Sequence, residues 1–267
     1  MNKSAEFDAW SVGQNYDYYM GRWSRRIADQ FVDWLGPSRD AAWLDVGCGT
    51  GALTAAILGQ CAPRSILSTD PSEGFLAHAR SAIHDEHVRF EIASAQALPA
   101  SDASFDIVAS ALVLNFIPDR QAALAELRRV LKPGGLLAFY VWDYPGGGMG
   151  FIDAFWKAAA AIDRDAAALD ESKRFPFCTR DGLAEICHAA GLMSPVIESL
   201  EIETVFPDFE AFWLPFTLGA GPAPGYCSSL PQEKQAALKA HLAHTLGTDQ
   251  PIRLVARAWA VKARWPE

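Results

Sequence analysis

The chain has 267 residues, enough for one large α/β domain or a core domain with a substantial insertion. Half of the residues are hydrophobic and 21% are charged, a globular composition, and no apolar run approaches the ~20 residues that cross a bilayer. A formal net charge of −9 without a basic block argues against a nucleic-acid partner, whose phosphates are neutralised by Lys and Arg.

The opening Met1-Asn2-Lys3-Ser4-Ala5-Glu6-Phe7-Asp8 lacks the apolar core of a signal peptide, which predicts a cytoplasmic chain without membrane insertion. Residues 1–40 are expected to form a helical segment ahead of the first strand. Within it, Tyr16-Asp17-Tyr18-Tyr19-Met20-Gly21-Arg22-Trp23 is dense in aromatics. An amphipathic helix packing its rings on a sheet accounts for that pattern, with Arg22, Arg25 and Arg26 as a salt-bridged face.

A first strand is predicted at about Ala41–Val46. It runs into Leu44-Asp45-Val46-Gly47-Cys48-Gly49-Thr50-Gly51, and a helix follows from about Thr50 to Leu58. Alternating glycines turn the backbone sharply and leave no side chains where a ligand must approach. The helix start offers free amides and a positive dipole end. The spacing is G-x-G-x-G, whereas a dinucleotide fingerprint is G-x-G-x-x-G. Cys48 within the loop is expected to be a small buried filler.

A second strand at Ser65–Thr69 ends at Asp70, placed as an acid for ribose hydroxyls would be. As a helix N-cap Asp is also a preferred residue. Pro71 suits a first helical position, with helix through Ile83. The third strand, Val88–Ile92, leads into Ala93-Ser94-Ala95-Gln96-Ala97-Leu98-Pro99, and a buried fourth strand covers Ser104–Leu112. Ligands of a doubly wound sheet lie outside the strands' carboxyl ends, so Ser110, Ala111 and Asn115 border such a site. Ile117-Pro118-Asp119-Arg120 opens a helix through Val130, and the turn Leu131-Lys132-Pro133-Gly134-Gly135 and a fifth strand at Leu136–Val141 follow.

The acid before G-x-G-x-G, Asp70 and the L-K-P-G-G turn together resemble the class I S-adenosylmethionine-dependent methyltransferases over residues 41–142. The resemblance is closest to the small-molecule branch with the quinone-biosynthesis methyltransferases (methyltransferase type 11). It implies a Rossmann-like, doubly wound sheet of seven strands, one of them antiparallel, in a domain spanning 41–267. It also implies S-adenosyl-L-methionine as cofactor and S-adenosyl-L-homocysteine as product. Asp45, Gly47, Cys48, Gly49, Gly51, Asp70, Pro71, Ser110 and Ala111 would then line the cofactor, with Ser94, Ala95 and Gln96 at adenine. Ser94 stands where the family commonly has an acid, so the charge usual there is missing. Residues 1–40 would cover the cofactor, Arg22 pairing with its carboxylate and Tyr19 lying over it.

After Trp142 the regularity fails. Asp143-Tyr144-Pro145-Gly146-Gly147-Gly148-Met149-Gly150 is expected to be a flexible turn, followed by helices at Phe151–Ala168 and Asp181–Ala190. Strands are expected at 195–206 and 252–261, separated by an insertion over about 207–248 that contains the loop Gly219–Tyr226. Segments 143–178 and 207–248 are expected to form a mostly helical lid. Its aromatics Tyr144, Trp156, Trp213 and Phe216, together with Trp142 and Asn115, are candidates to hold a small apolar or aromatic methyl acceptor; large rings also simply fill cores. No metal is expected, because the five cysteines form no C-x-x-C pair and His241 and His244 lack a third ligand nearby. Methyl transfer needs no fixed triad, so no catalytic residue stands out. A non-catalytic binder of S-adenosylmethionine and an NAD-dependent oxidoreductase remain alternatives.

Overall fold

The computed structural model describes residues 16–219 and 221–265. The expectations for residues 1–15 lie outside the described residues. The chain divides into two compact units, one of residues 24–142, 177–200 and 258–267, the other of residues 1–23, 143–176 and 201–257.

The first unit is built on parallel strands. β1 (Ala42–Val46) is buried at every position, as a strand covered on both faces of a parallel sheet must be. It pairs with β2 (Ser65–Asp70), Leu44 opposite Leu67, and with β4 (Phe105–Ala111), Leu44 opposite Val108. β3 (Val88–Ile92) joins β2, and β5 (Leu131–Trp142) joins β4. With β6 (Val196–Phe206) and β7 (Ile252–Arg264) the seven-stranded order is β3-β2-β1-β4-β5-β7-β6. β7 runs antiparallel to β5, from Leu136 opposite Arg264 to Trp142 opposite Ala258. This is the doubly wound sheet implied by the family resemblance. The order reverses between β1 and β4, and that switch point is where such sheets bind ligands.

The helix Arg22–Leu35 buries Ile27, Ala28, Phe31, Val32 and Leu35, a one-face spacing. The Phe31 ring sits 4.6 Å from that of Tyr140 on β5. Helix Glu73–Ala82 starts later than expected. Ser72 caps it by accepting the Phe75 N–H, so Pro71 lies ahead of the helix.

The second unit is mostly helical and its core is aromatic. Phe155 stacks on Phe216 at 4.5 Å, Phe206 meets Phe212 at 5.2 Å, and Trp156 meets Tyr226 at 5.4 Å. The single helix expected over Phe151–Ala168 is two pieces. Gly150–Ile162 ends at Asp163, whose carboxylate accepts the Asp165 N–H and starts a short turn, Arg164–Ala168. The expected loop Gly219–Tyr226 holds the start of a helix, Pro222–Ser229, because Pro222 fits its first turn; Ala220 lies outside the described residues. The glycine-dense turn after Trp142 is tied down rather than flexible. Asp143, 2% exposed, accepts from Arg257 Nε at 2.7 Å and from the Gly146 N–H at 2.9 Å. A Cβ on Gly146 would stand 2.4 Å from the Asp143 carboxylate, so only glycine fits there.

Removing one member of a buried ion pair strands the other, which costs about 3–5 kcal/mol when both are fully enclosed. Arg257 keeps 30% of its side chain exposed, so Asp143→Ala should cost less, about 2 kcal/mol. Chemical denaturation checks this, and an unchanged midpoint would show that the turn does not depend on the pair.

Candidate cofactor site

The site forms where β1, β2 and β4 end. Gly47, Gly49 and Gly51 all have positive φ, at 73°, 54° and 89°, a region that side chains with a Cβ rarely adopt. Their surroundings differ. A methyl group on Gly47 would lie 2.5 Å from Val113 Cγ2, and one on Gly51 would lie 2.6 Å from Ile83 Cδ1. Packing demands glycine at 47; at 51 the neighbour is the tip of a flexible side chain, and the positive φ is what favours glycine. A Cβ on Gly49 would meet nothing within 4 Å, so its surface faces open space that a ligand can fill. The residues present therefore fit a group that lies close to the backbone at Gly49.

The loop is held from both sides. The Gly47 and Cys48 N–H groups donate to the Thr69 carbonyl at 2.7 and 2.9 Å. Asp70 accepts from the Gly49 N–H at 3.0 Å with one carboxylate oxygen and from the Ser72 N–H at 2.8 Å with the other. Ser72, not Asp70, is the helix cap. Burial raises the Asp70 pKa, while these two backbone bonds oppose that rise. Beneath the loop, Asp45 is fully enclosed and accepts from Thr54 Oγ1 at 2.7 Å; Thr54 also pairs with Ser68 at 2.8 Å. Loss of solvent pushes the Asp45 pKa up to about 7, with Thr54 lowering it and Asp70 raising it.

The other residues singled out in the sequence fall as follows. Cys48 is buried, and burial raises its thiol pKa. Ser110 donates from Oγ to the Val46 carbonyl at 2.8 Å, spending its proton on fastening β4 to β1. Ser94 and Gln96 are exposed, with Ser94 Oγ accepting the Gln96 N–H at 3.2 Å. They start beside Asp70, whose carbonyl accepts the Ala93 N–H at 3.2 Å. Asn115 and Trp142 are buried, and Asn115 Nδ2 and Trp142 Nε1 have no partner among the described residues. In the other unit, Arg22 stacks on Trp23 at 4.3 Å and Phe206 at 4.8 Å, its Nε and Nη2 buried without a hydrogen-bond partner among the described residues. Tyr19 meets Phe151 and Phe216 edge-on at 5.8 and 5.6 Å, which groups it with the aromatic candidates. Tyr144, Trp156, Trp213 and Phe216 are all buried.

The sequence reading passed over Thr54, Ser68, Val113 and Ile83. Thr54 and Ser68 were detectable as hydroxyls on otherwise apolar elements, whereas nothing in the sequence links Val113 to Gly47. It also missed Leu112, which has φ 61° directly after β4, strain of the kind that gathers at ligand sites.

A family model described as "Methyltransferase domain" matches residues 44–139, from β1 to β5. A malonyl-[acyl-carrier protein] O-methyltransferase of Geobacter sulfurreducens is 31% identical over 213 residues, covering 78% of this chain and 74% of that one. The chain belongs to the S-adenosylmethionine-dependent methyltransferases. The ubiquinone/menaquinone biosynthesis C-methyltransferase UbiE of the same bacterium is 37% identical over 129 residues, 46% of this chain and 49% of that protein. The first curated relatives it matches are likewise spanned over about half of their length. Among solved structures, a Haemonchus contortus phosphoethanolamine N-methyltransferase holding S-adenosylhomocysteine shares the fold. It has a TM-score of 0.58 at 16% identity, over 96% of this chain and 57% of that one. No described helix of this chain is long and apolar enough to cross a membrane, and no described group of three His, Cys, Asp or Glu side chains could hold a metal.

The buried Asp45 gives the chain a pH signature. In the unfolded chain an Asp loses its proton near pH 3.9; in the fold Asp45 keeps it up to about 7. Between those values the folded state binds the extra proton, so this group's contribution to stability falls as pH rises through the window. The stability of the wild type relative to Asp45→Asn should therefore decline from about pH 4 to pH 7 and then level. A difference that stays flat with pH would show that Asp45 titrates normally.

Proposed function

We propose that the chain transfers the methyl group of S-adenosylmethionine to a small, largely apolar or aromatic metabolite in the cytoplasm. What carries this reading is the loop at the end of β1, where Gly49 opens onto free space while Asp70 fixes its amide. The bound sulfonium supplies an activated methyl and a neutral thioether leaving group. The chain's own work is then to bind, orient and exclude water.

In this reading the glycine loop lies under the cofactor's amino acid and ribose. Asp70 accepts from the ribose hydroxyls with lone pairs its two backbone bonds leave free. Ser94, Ala95 and Gln96 border adenine. Arg22 takes the carboxylate, which supplies the partner its buried Nε and Nη2 lack. Segments 143–178 and 207–248 close over the acceptor as a lid. Asn115 and Trp142, each with an unpaired donor, lie on the acceptor side. The net charge of −9 fits a small-molecule acceptor better than a nucleic acid.

Titration calorimetry with S-adenosylhomocysteine should show one site per chain. Asp70→Ala should weaken it by about ten- to hundredfold, the value of a charge-assisted hydrogen bond, and Arg22→Lys should weaken it through loss of the planar fork. Gly49→Val should block binding with a smaller fall in melting temperature than Gly47→Val, whose side chain strikes Val113. Absence of heat with either the donor or its product would overturn the proposal. Binding without turnover of a methyl-labelled donor across an acceptor library would leave a non-catalytic binder.

A further inference from the structure

One edge of the first unit's sheet has no neighbour. β3 (Val88–Ile92) ends the strand order, and among the described residues no strand pairs with its outer side. Two bonds fix the phase of its ladder to β2. The Ile66 N–H donates to the His87 carbonyl at 2.7 Å, and the Ala93 N–H donates to the Asp70 carbonyl at 3.2 Å. The odd-numbered residues of the strand therefore turn their backbone groups toward β2, and Val88, Phe90 and Ile92 turn theirs outward. Two of the outward groups have local partners. The Val88 N–H donates to the Asp85 carbonyl at 3.2 Å, and the Phe90 carbonyl accepts from Arg80 Nη2 at 3.0 Å, which leaves that oxygen a second lone pair. Ile92 is 58% exposed, a large apolar side chain at the end of the open edge.

The side chains along this edge form a palindrome of chemistry. Val-Arg-Phe-Glu-Ile reads apolar, charged, apolar, oppositely charged, apolar. Two copies set antiparallel about a two-fold axis at Phe90 bring Val88 opposite Ile92, Phe90 opposite its equivalent, and Arg89 opposite Glu91 twice over. Val88, Phe90 and Ile92 share one face of the strand and the two charges share the other. Apolar side chains thus meet apolar ones, and each charge meets its opposite. Parallel pairing in the same register would set Arg89 against Arg89 and Glu91 against Glu91, which opposes association. In the single chain Arg89 and Glu91 pair with each other at 2.5 Å. The strand itself therefore carries no net charge, whereas edges guarded against pairing commonly do.

We propose that β3 is a self-association edge, through which two copies of this chain join their sheets antiparallel about Phe90. The pairing is a strand addition, with outward main-chain groups supplying the attraction and the side-chain order supplying the register. Five residues a side fall well short of the roughly 20–30 a side of a standard interface. The dimer is accordingly weak, with a dissociation constant on the order of micromolar or above. The cofactor reading and this one stand on different strand ends, and either can fail without the other.

Sedimentation velocity of the full chain, from micromolar to millimolar protein, should show a reversible equilibrium between monomer and dimer. Arg89→Glu and Glu91→Arg should each weaken association by about tenfold or more, because both cross-strand pairs become like-charged. An equimolar mixture of the two variants should regain association as a mixed dimer, since every opposition is then again between unlike charges. Ile92→Pro removes an outward N–H and leaves the ladder to β2 intact. It should abolish association with a melting temperature close to wild type, and it decides the matter where a charge reversal impairs folding. A chain that stays monomeric at millimolar concentration overturns the proposal. So does a dimer that survives all three variants, which would place the interface elsewhere. A mixture of folded charge-reversed variants that associates no better than either alone overturns the antiparallel register.

Discussion

A carboxyl group shut inside the central strand fixes where everything else at the cofactor site can be. Asp45 has no ion pair among the described residues, and its enclosure is offset by Thr54, whose backbone N–H and Oγ1 both serve it and whose Oγ1 also pairs with Ser68 of β2. One shared hydroxyl thus ties the central strand, its neighbour and the helix that leaves the glycine loop. A loop with three positive-φ glycines has much backbone freedom to lose. Anchoring its far end at Thr54 and its middle at the Thr69 carbonyl settles that entropy during folding, before any ligand arrives. Asp70 completes the arrangement, because the bond from the Gly49 amide sets the acid's angle as well as the loop's.

The parallel core was legible because its physics is local. β1 and β4 are short apolar runs between turn residues, and the alternating Val88–Ile92 reads from the sequence with the same bounds as in the structure. Expectation and structure part where a side chain overrides the pattern. Ser72 capped the helix that Pro71 was expected to open, since a hydroxyl that accepts an amide proton outweighs a ring that merely presets φ. Asp163 broke a helix whose composition continued as helix. Pro222 reads as a loop residue within a Gly-Pro-rich stretch, though the same ring suits a first helical turn. The turn after Trp142 carried four glycines and so suggested mobility. Its partner Arg257 lies 114 residues away, a separation at which no window over the sequence can pair them.

The same limit explains what was missed at the candidate site. Gly47 is required by Val113, a residue at the exit of β4, and the space beside Gly51 is taken by Ile83, which caps the helix Glu73–Ala82. The aromatic residues of segments 143–178 and 207–248 were visible as a set, but their order was not, since ring packing has no period along the chain.

Unpaired buried donors do not by themselves mark a binding site. Trp43 Nε1 is as isolated as Trp142 Nε1, yet Trp43 sits near the start of β1, at the opposite end from the carboxyl edge where ligands of this fold lie. An indole left unpaired loses one hydrogen bond and keeps a large apolar body well packed, a modest penalty. Arg22 is a different case. Its guanidinium cannot shed its charge at any physiological pH, and among the described residues burial of Nε and Nη2 is offset by the Trp23 and Phe206 rings and by Tyr18. Lowering of the Arg22 pKa by burial reflects the same strain. Position and charge together separate a donor that the fold merely tolerates from one whose cost a ligand can remove.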